Sequence, residues 1–285
     1  MKSKILVHIY SYKDSELINT IDALLDNVSQ TNLVDIYVDD QNNLTRYEKF
    51  LKHKNVFYNP VWWDDLLSPL SYRASCVHAK QHEGYDYFLF ISRATTLSKN
   101  WDEDLISLLP EKAVLSGKGS VECYVKDNFY IQKDRSDSDD ITNTGVVDQS
   151  FIFGRFSDLL SVHLPHELKF FGIDEYLSMS FLNQGIEVYS LPSNYYNQEP
   201  DNLITKDYVP FSLNHNYNLV IDILKGNTTS ILKYESPNKF LDKVNINVED
   251  LYRLPFDFND IEYDRFSELD LVGGVRYIQK RDKVS

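Results

Sequence analysis

The first seven residues of real pattern, KILVHIY from Lys4 to Tyr10, are apolar and β-branched without alternation, as in a strand covered on both faces in a parallel sheet. Asp14 then stands as a helix N-cap, and Leu17, Ile21, Leu24, Leu25 and Val28 recur at helical spacing. A second strand from Leu33 to about Val38 follows, closed by Asp39 and Asp40. Strand, amphipathic helix and strand make a βαβ unit, whose crossover is right-handed in nearly all proteins. An α/β fold is the first consequence.

The pattern continues with a short strand over Asn55 to Pro60, a helix over Ser71 to His82, and a fourth strand at YFLFI, Tyr87 to Ile91. A helix from Trp101 to about Leu109 and a strand at KAVLSG come next. In the helix, Trp101 reads as a packing residue and Asp102 as a helix-start acid. The acidic stretch from Lys133 to Gly145 reads as an exposed loop or lid, after which QSFIFGRF returns to a strand pattern. FFGIDEYLSMSFLNQGIEVYSLP predicts a turn, a helix through Gln184 closed by Gly185, and a strand. Beyond Pro200 the periodicity weakens, leaving candidate helices at Tyr217 to Leu224 and Val248 to Leu254. Residues 1–200 are therefore expected to form the main domain, and residues 201–285 a small C-terminal accessory region packed on it.

Composition narrows the function. A formal net charge of −14 over 285 residues weighs against a nucleic-acid or anionic-membrane binder, since phosphates are held through clustered Lys and Arg. The basic stretch RYIQKRDK is the exception. Cys76 and Cys123 lack metal-type spacing and suggest reduced thiols in a cytoplasm. The seven histidines show no zinc-type spacing, and no Gly-rich phosphate loop is present. MKSKILVHIYSYKDSE is too short in apolar residues for a secretory segment, and no run approaches the roughly 20 residues needed to span a bilayer. A soluble, cytoplasmic protein is the expectation.

Open α/β sheets bind ligands beyond the carboxyl ends of their strands. Three groups fall there: Tyr10 to Lys13, the pair Asp39 and Asp40, and Ser92 to Thr96. ILVHIYSYKDSELINTIDALLDN followed by DIYVDDQNN resembles the opening of GT-A glycosyltransferases, which have a Rossmann-like nucleotide-sugar-binding domain with a mixed, mostly parallel central sheet. HAKQHEGYDYFLFISRATTLSKNWDEDLISLL and FFGIDEYLSMSFLNQGIEVYSLP resemble the cytoplasmic polypeptide N-acetylglucosaminyltransferases that modify hydroxyproline, and their bacterial and viral relatives. The resemblance covers roughly residues 4 to 200.

The resemblance implies that Tyr10, Ser11 and Tyr12 line a nucleobase pocket, that Asp39 or Asp40 accepts from uracil or ribose, and that Arg73 contacts the donor diphosphate. Asp-rich strand ends also cap turns, and an Arg with no specific contact is the alternative at position 73. Where the family carries an Asp-x-Asp or Asp-x-His metal signature, this chain has Ser92, Arg93 and Ala94. The histidine expected downstream is replaced by Asn197, Gln198 and Glu199. No metal ligand is assigned, although Mn²⁺ or Mg²⁺ belongs to the family; Arg93 is the candidate to carry the metal's charge, beside Ser92 in the donor site. Asp174 and Glu175 fall where the resemblance puts an acidic pair near the acceptor, for orientation or base chemistry. Acids in a first helical turn also meet the helix dipole favourably.

Trp62, Trp63, Asp64 and Asp65 suggest a rim that recognises a sugar or acceptor, or core packing for at least one Trp. Three functions remain in play. The first is transfer from a nucleotide-sugar donor, UDP-linked by resemblance, to a hydroxyl of a protein or other acceptor. The others are an inactive descendant kept as a binding or assembly factor, and a transferase acting on modified DNA bases.

Overall fold

The computed structural model describes residues 2–11, 16–29, 32–40, 53–60, 69–91, 95–126, 130–164, 172–198, 218–226, 237–251, 269–272 and 275–278. Tyr12, Asp14, the stretch from Trp62 to Asp65, Ser92, Arg93, Ala94 and Glu199 lie outside them.

The βαβ opening is present as β1 (Lys4–Ser11), α1 (Leu17–Asn27) and β2 (Leu33–Asp40). Helix α1 begins behind Glu16, later than the sequence suggested. Asp39 and Asp40 are the last residues of β2 rather than a turn beyond it, paired with Tyr10 and Ser11 of β1. Then come β3 (Val56–Pro60), α2 (Pro69–Lys80), β4 (Tyr87–Ile91), β5 (Thr95–Leu97), α3 (Trp101–Leu108) and β6 (Ala113–Lys118). The proline that opens α2 loses nothing there, because the first helical N–H has no intrahelical acceptor.

After β6 the chain departs from the expected loop. Strands β7 (Ser120–Lys126) and β8 (Tyr130–Ser136) form an antiparallel hairpin, so Lys133 to Ser136 are strand. Thr142 and Asn143 form the short β9, paired with a later strand. The chain continues through β10 (Phe151–Arg155), α4 (Phe156–Leu159), α5 (Ile173–Asn183), β11 (Glu187–Leu191) and β12 (Tyr196–Gln198). Gly185 follows α5 at a φ of +71°, the left-handed conformation that ends a helix at little cost only with glycine. Residues 218–224 are helical (α6), and Asn238–Val244 form α7. Val248–Asp250 is a 3₁₀ turn instead of the expected longer helix start. Leu269–Val272 and Val275–Ile278 pair as a last hairpin, β13 and β14.

The main sheet runs β3-β2-β1-β4-β10-β6-β11-β9. Strands β3, β2, β1 and β4 are parallel, as are β6 and β11, while β10 runs antiparallel between β4 and β6. Alternate residues divide cleanly between two cores. Ile5, Val7, Ile9, Leu89, Ile91, Phe151 and Phe153 meet α1 and α3; Leu6, Phe88, Phe90, Val114, Ile152 and Val188 meet α2 and α5. Helices α6 and α7 add Val220, Ile221, Phe240 and Leu241 to this second core.

Trp101 and Asp102 are structural, as read from the sequence. Trp101 is fully buried and donates from Nε1 to Leu24 O at 3.0 Å. Asp102, also fully buried, accepts from Ser29 N (2.8 Å), Ser29 Oγ (2.6 Å) and Asn32 Nδ2 (2.8 Å), pinning the end of α1 to α3. Asp102→Ala leaves two buried donors and one part-buried donor unsatisfied and should cost about 3 kcal/mol. Urea unfolding should show a lower midpoint at an unchanged slope.

Candidate active site

The register brings Ser11, Asp40 and Ile91 to one end of the sheet, with Lys118 and Leu191 ending on the same side. The reversed β10 starts there: Phe151 stands opposite Ile91. The peptide just before β10 therefore lies where the parallel strands end.

On the β2 side, Asp39 and Asp40 differ. Asp40 is fully buried and takes a 2.9 Å hydrogen bond from Tyr58 OH, whose own ionisation is pushed up by burial and by that carboxylate. Asp39 is fixed by His8 Nε2 at 2.7 Å and Asn59 Nδ2 at 2.6 Å, and it lines a cavity of about 430 Å³ between α2 and β2–β3. Tyr72 and Cys76 of α2 form the opposite wall. Burial pushes the Cys76 thiol up to about 12, so it is an inert wall rather than a nucleophile. Tyr10 is buried and stacks on Tyr72, with ring centroids 5.8 Å apart. Ser11 is buried on the opposite face of β1, its Oγ without a partner among the described residues. Of the two aspartates, the structure puts Asp39 at a cavity and Asp40 in the packing; sequence gave no way to separate them.

Arg73, next to Tyr72 on α2, is completely buried. Its guanidinium lies 5.0 Å over the Phe90 ring and donates from Nη2 to Gln149 O at 2.7 Å. Neither Nε nor Nη1 meets an acceptor among the described residues. Burial pulls its pKa down to about 10, with Asp174, Tyr10 and Asp148 acting to hold it up. It stays charged at neutral pH. A surface role for Arg73 is excluded by its burial.

Asp174 and Glu175 occupy the first turn of α5, after Gly172 in the left-handed region at φ +80°. Asp174 Oδ1 accepts from Gln149 N at 3.0 Å, so Arg73 and Asp174 grip the same residue from either side. Both acids bind one cation that the sequence had placed in a loop: Lys133 Nζ is 2.8 Å from Asp174 Oδ2 and 3.0 Å from Glu175 Oε1. Two residues along β8, Arg135 donates to Asp148 Oδ2 at 3.0 Å and to Lys118 O at 2.9 Å. Residues i and i+2 of a strand share a face, so Lys133 and Arg135 are one basic edge turned onto three acids. Gly117 makes room for it, since a Cβ there would meet the Arg135 guanidinium at 3.0 Å and Asp148 Cβ at 2.9 Å.

Strand β5, which follows Ser92–Ala94, pairs antiparallel with β12, Thr96 opposite Asn197 and Thr95 opposite Gln198. Neither strand carries a carboxylate, the ligand that hard divalent cations take, and among the described residues no group of three His, Cys, Asp or Glu is placed to hold a metal ion.

The mixed, mostly parallel α/β sheet is consistent with a GT-A-like fold. TarS of S. aureus, a GT-A-type glycosyltransferase, has the same fold: one of its crystal structures matches at a TM-score of 0.53 and 18% identity, over 86% of this chain and 43% of that chain. A structure of TarS 1-349 in complex with UDP-GlcNAc matches at 0.53 and 15% identity, over 86% of this chain and 70% of that one. This chain spans less than half of the longer TarS chain. No protein-family model and no curated protein matches the sequence. No helix among the described residues is long and apolar enough to cross a membrane.

Proposed function

We propose that the chain is a glycosyltransferase that moves a sugar from a UDP-linked donor to a hydroxyl of a protein or other acceptor, with side-chain cations rather than a divalent metal ion supporting the leaving diphosphate. One observation carries it: a fully buried Arg73 whose Nε and Nη1 are unpaired among the described residues, on a helix that walls the Asp39 cavity on one side and reaches toward Asp174 on the other. That order of parts suits a base, a diphosphate and a sugar in sequence. Arginine's planar fork binds two phosphate oxygens at once.

In this proposal Asp39, held by His8 and Asn59, keeps lone pairs for the base or ribose. Tyr10 shapes the pocket from behind Tyr72. Arg73 takes the diphosphate, and Arg93 adds charge from the segment after β4. Asp174 or Glu175 receives the acceptor's hydroxyl proton as the oxygen bonds to the anomeric carbon. The bond from that carbon to the phosphate oxygen breaks, and its electron pair leaves with UDP. Electrostatic support of the departing charge is the largest expected contribution.

A second reading, a nucleotide-sugar-fold protein without transfer activity, draws on the Lys133 contacts, which tie up both acids. Thermal shift separates the two from a third outcome. A ligand that binds only the folded state at 100 times its Kd stabilises by about 2.7 kcal/mol. UDP and UDP-N-acetylglucosamine should each raise Tm, equally with Mn²⁺ and with a chelator, and Arg93→Ala should reduce the rise. No rise with any sugar nucleotide would sink the enzyme proposal. A rise without UDP release over a panel of hydroxyl acceptors would favour the binding protein.

A further inference from the structure

We infer that Lys133 of the β7–β8 hairpin is a positioning residue for transfer, bridging Asp174 and Glu175 so that one can take the acceptor's proton. This rests on the transferase proposal, and the hairpin becomes part of the site rather than a cover over it.

The geometry supports it from three directions. The two carboxylates take two of the ammonium's three protons, at 2.8 and 3.0 Å. The hairpin is held in register by Cys123 opposite Lys133, and Arg135 anchors it to Asp148 and Lys118, so Nζ is delivered by a braced strand. Around Asp174 stand Lys133 from β8, Glu175 on its own helix, Asp148 and the Gln149 N–H from the segment before β10, and Arg73 from α2. Cys123 of β7, opposite Lys133 in the hairpin, faces Lys133 and Glu175 from the other strand. Counted together, Asp148, Asp174 and Glu175 are matched by Arg73, Lys133 and Arg135. The balance depends on the hairpin.

Without Lys133, Glu175 stands beside a largely buried Asp174 with no cation between them. A neighbouring like charge disfavours ionisation of Asp174. Burial already raises Asp174, and Lys133 is the largest influence pulling it back. Burial disfavours the Lys133 charge, but the two acids outweigh that and hold it well above the usual ammonium range. The ionised fraction of the base would therefore fall when the lysine is lost, even with the fold intact.

The test uses the full chain with Lys133→Met and Lys133→Arg. UDP release from UDP-N-acetylglucosamine, with water as the acceptor, is followed against pH. In Lys133→Met the acidic limb should move up by about 1 to 3 pH units, with donor KM nearly unchanged; Lys133→Arg should return it toward wild type. An unmoved limb in a folded Lys133→Met variant overturns the proposal. Melting temperature supplies a reading free of activity. The variant's carboxyl would sit above its unfolded value, so the folded form binds the extra proton and gains stability as pH falls. The Tm gap to wild type should then narrow on acidification from pH 7 to 5; a gap constant in pH means packing only and also overturns it. Absence of UDP release from wild type at every pH would count against the transferase proposal itself, while the Tm gap still decides the role of Lys133.

Discussion

Arg73→Met should lower UDP release by at least about 100-fold, the scale of removing one preorganised donor to a developing anion. Methionine keeps the apolar stem but loses the guanidinium over Phe90 and every side-chain donor. Two losses follow: under the proposed function Nε and Nη1 no longer meet the diphosphate, and Gln149 O loses its 2.7 Å partner. Stability should fall as well, because removing one member of a buried charged group costs about 3 to 5 kcal/mol. Arg73→Lys separates the two effects. It restores a positive charge next to Asp174 and Asp148 but not the fork, so the chain should fold while the Tm rise with UDP stays small. A full UDP response in Arg73→Lys would show that bidentate binding is not what this arginine supplies.

Asp174→Asn should reduce transfer by about 10² to 10⁴, the usual worth of a positioned general base. The amide is isosteric, its oxygen can still accept from Gln149 N, and Lys133 keeps Glu175 at 3.0 Å, so the fold and donor binding should persist. The effect should sit in kcat rather than in donor KM. Glu175→Gln is the companion variant. Glu175 is the more buried of the two acids, so its substitution should be milder for catalysis and harsher for Tm. The reverse ranking would transfer the base role to Glu175, and normal turnover in both would remove the acid pair from the chemistry.

The parts of the fold that could be read from sequence are those with a local period. KILVHIY and the i, i+3, i+4 spacing of α1 fix their elements without tertiary help, and Trp101 and Asp102 sit at the start of their helix as expected. The direction of β10 was not legible, because a continuously apolar strand such as FIFGR looks the same in either orientation. The β7–β8 hairpin was misread for a different reason. Its Lys, Asp and Arg look solvent-facing until α5 supplies acids some forty residues later, so the alternation of Lys133 and Arg135 has meaning only in three dimensions. That alternation was the available signal, and it was masked by the acidic residues after it.

The site was legible by type and not by role. Asp39 and Asp40 were found as a pair, but which one faces a cavity depends on Tyr58, which sits on a neighbouring strand. Arg73 was found one helix from where its burial could be judged. Gln149 and His8 carried no signal: each acts through a hydrogen bond to a residue at least 25 positions away. Arg93, the first residue suggested by the missing carboxylates, lies outside the described residues, as does Tyr12.

The reversal of β10 has an evolutionary consequence. Its antiparallel course puts Asp148 to Ser150, the residues just before Phe151, at the end of the sheet where β1, β2 and β4 finish. Gln149 joins Arg73 to Asp174 there, and Asp148 receives the hairpin. A substitution at Asp148 or Gln149 would alter how Arg73 and Asp174 are held relative to one another while every core strand kept its register. Selection for a new acceptor thus has Asp148 and Gln149 on which to act, while Val146, Val147 and Ser150 beside them are buried and held by the core.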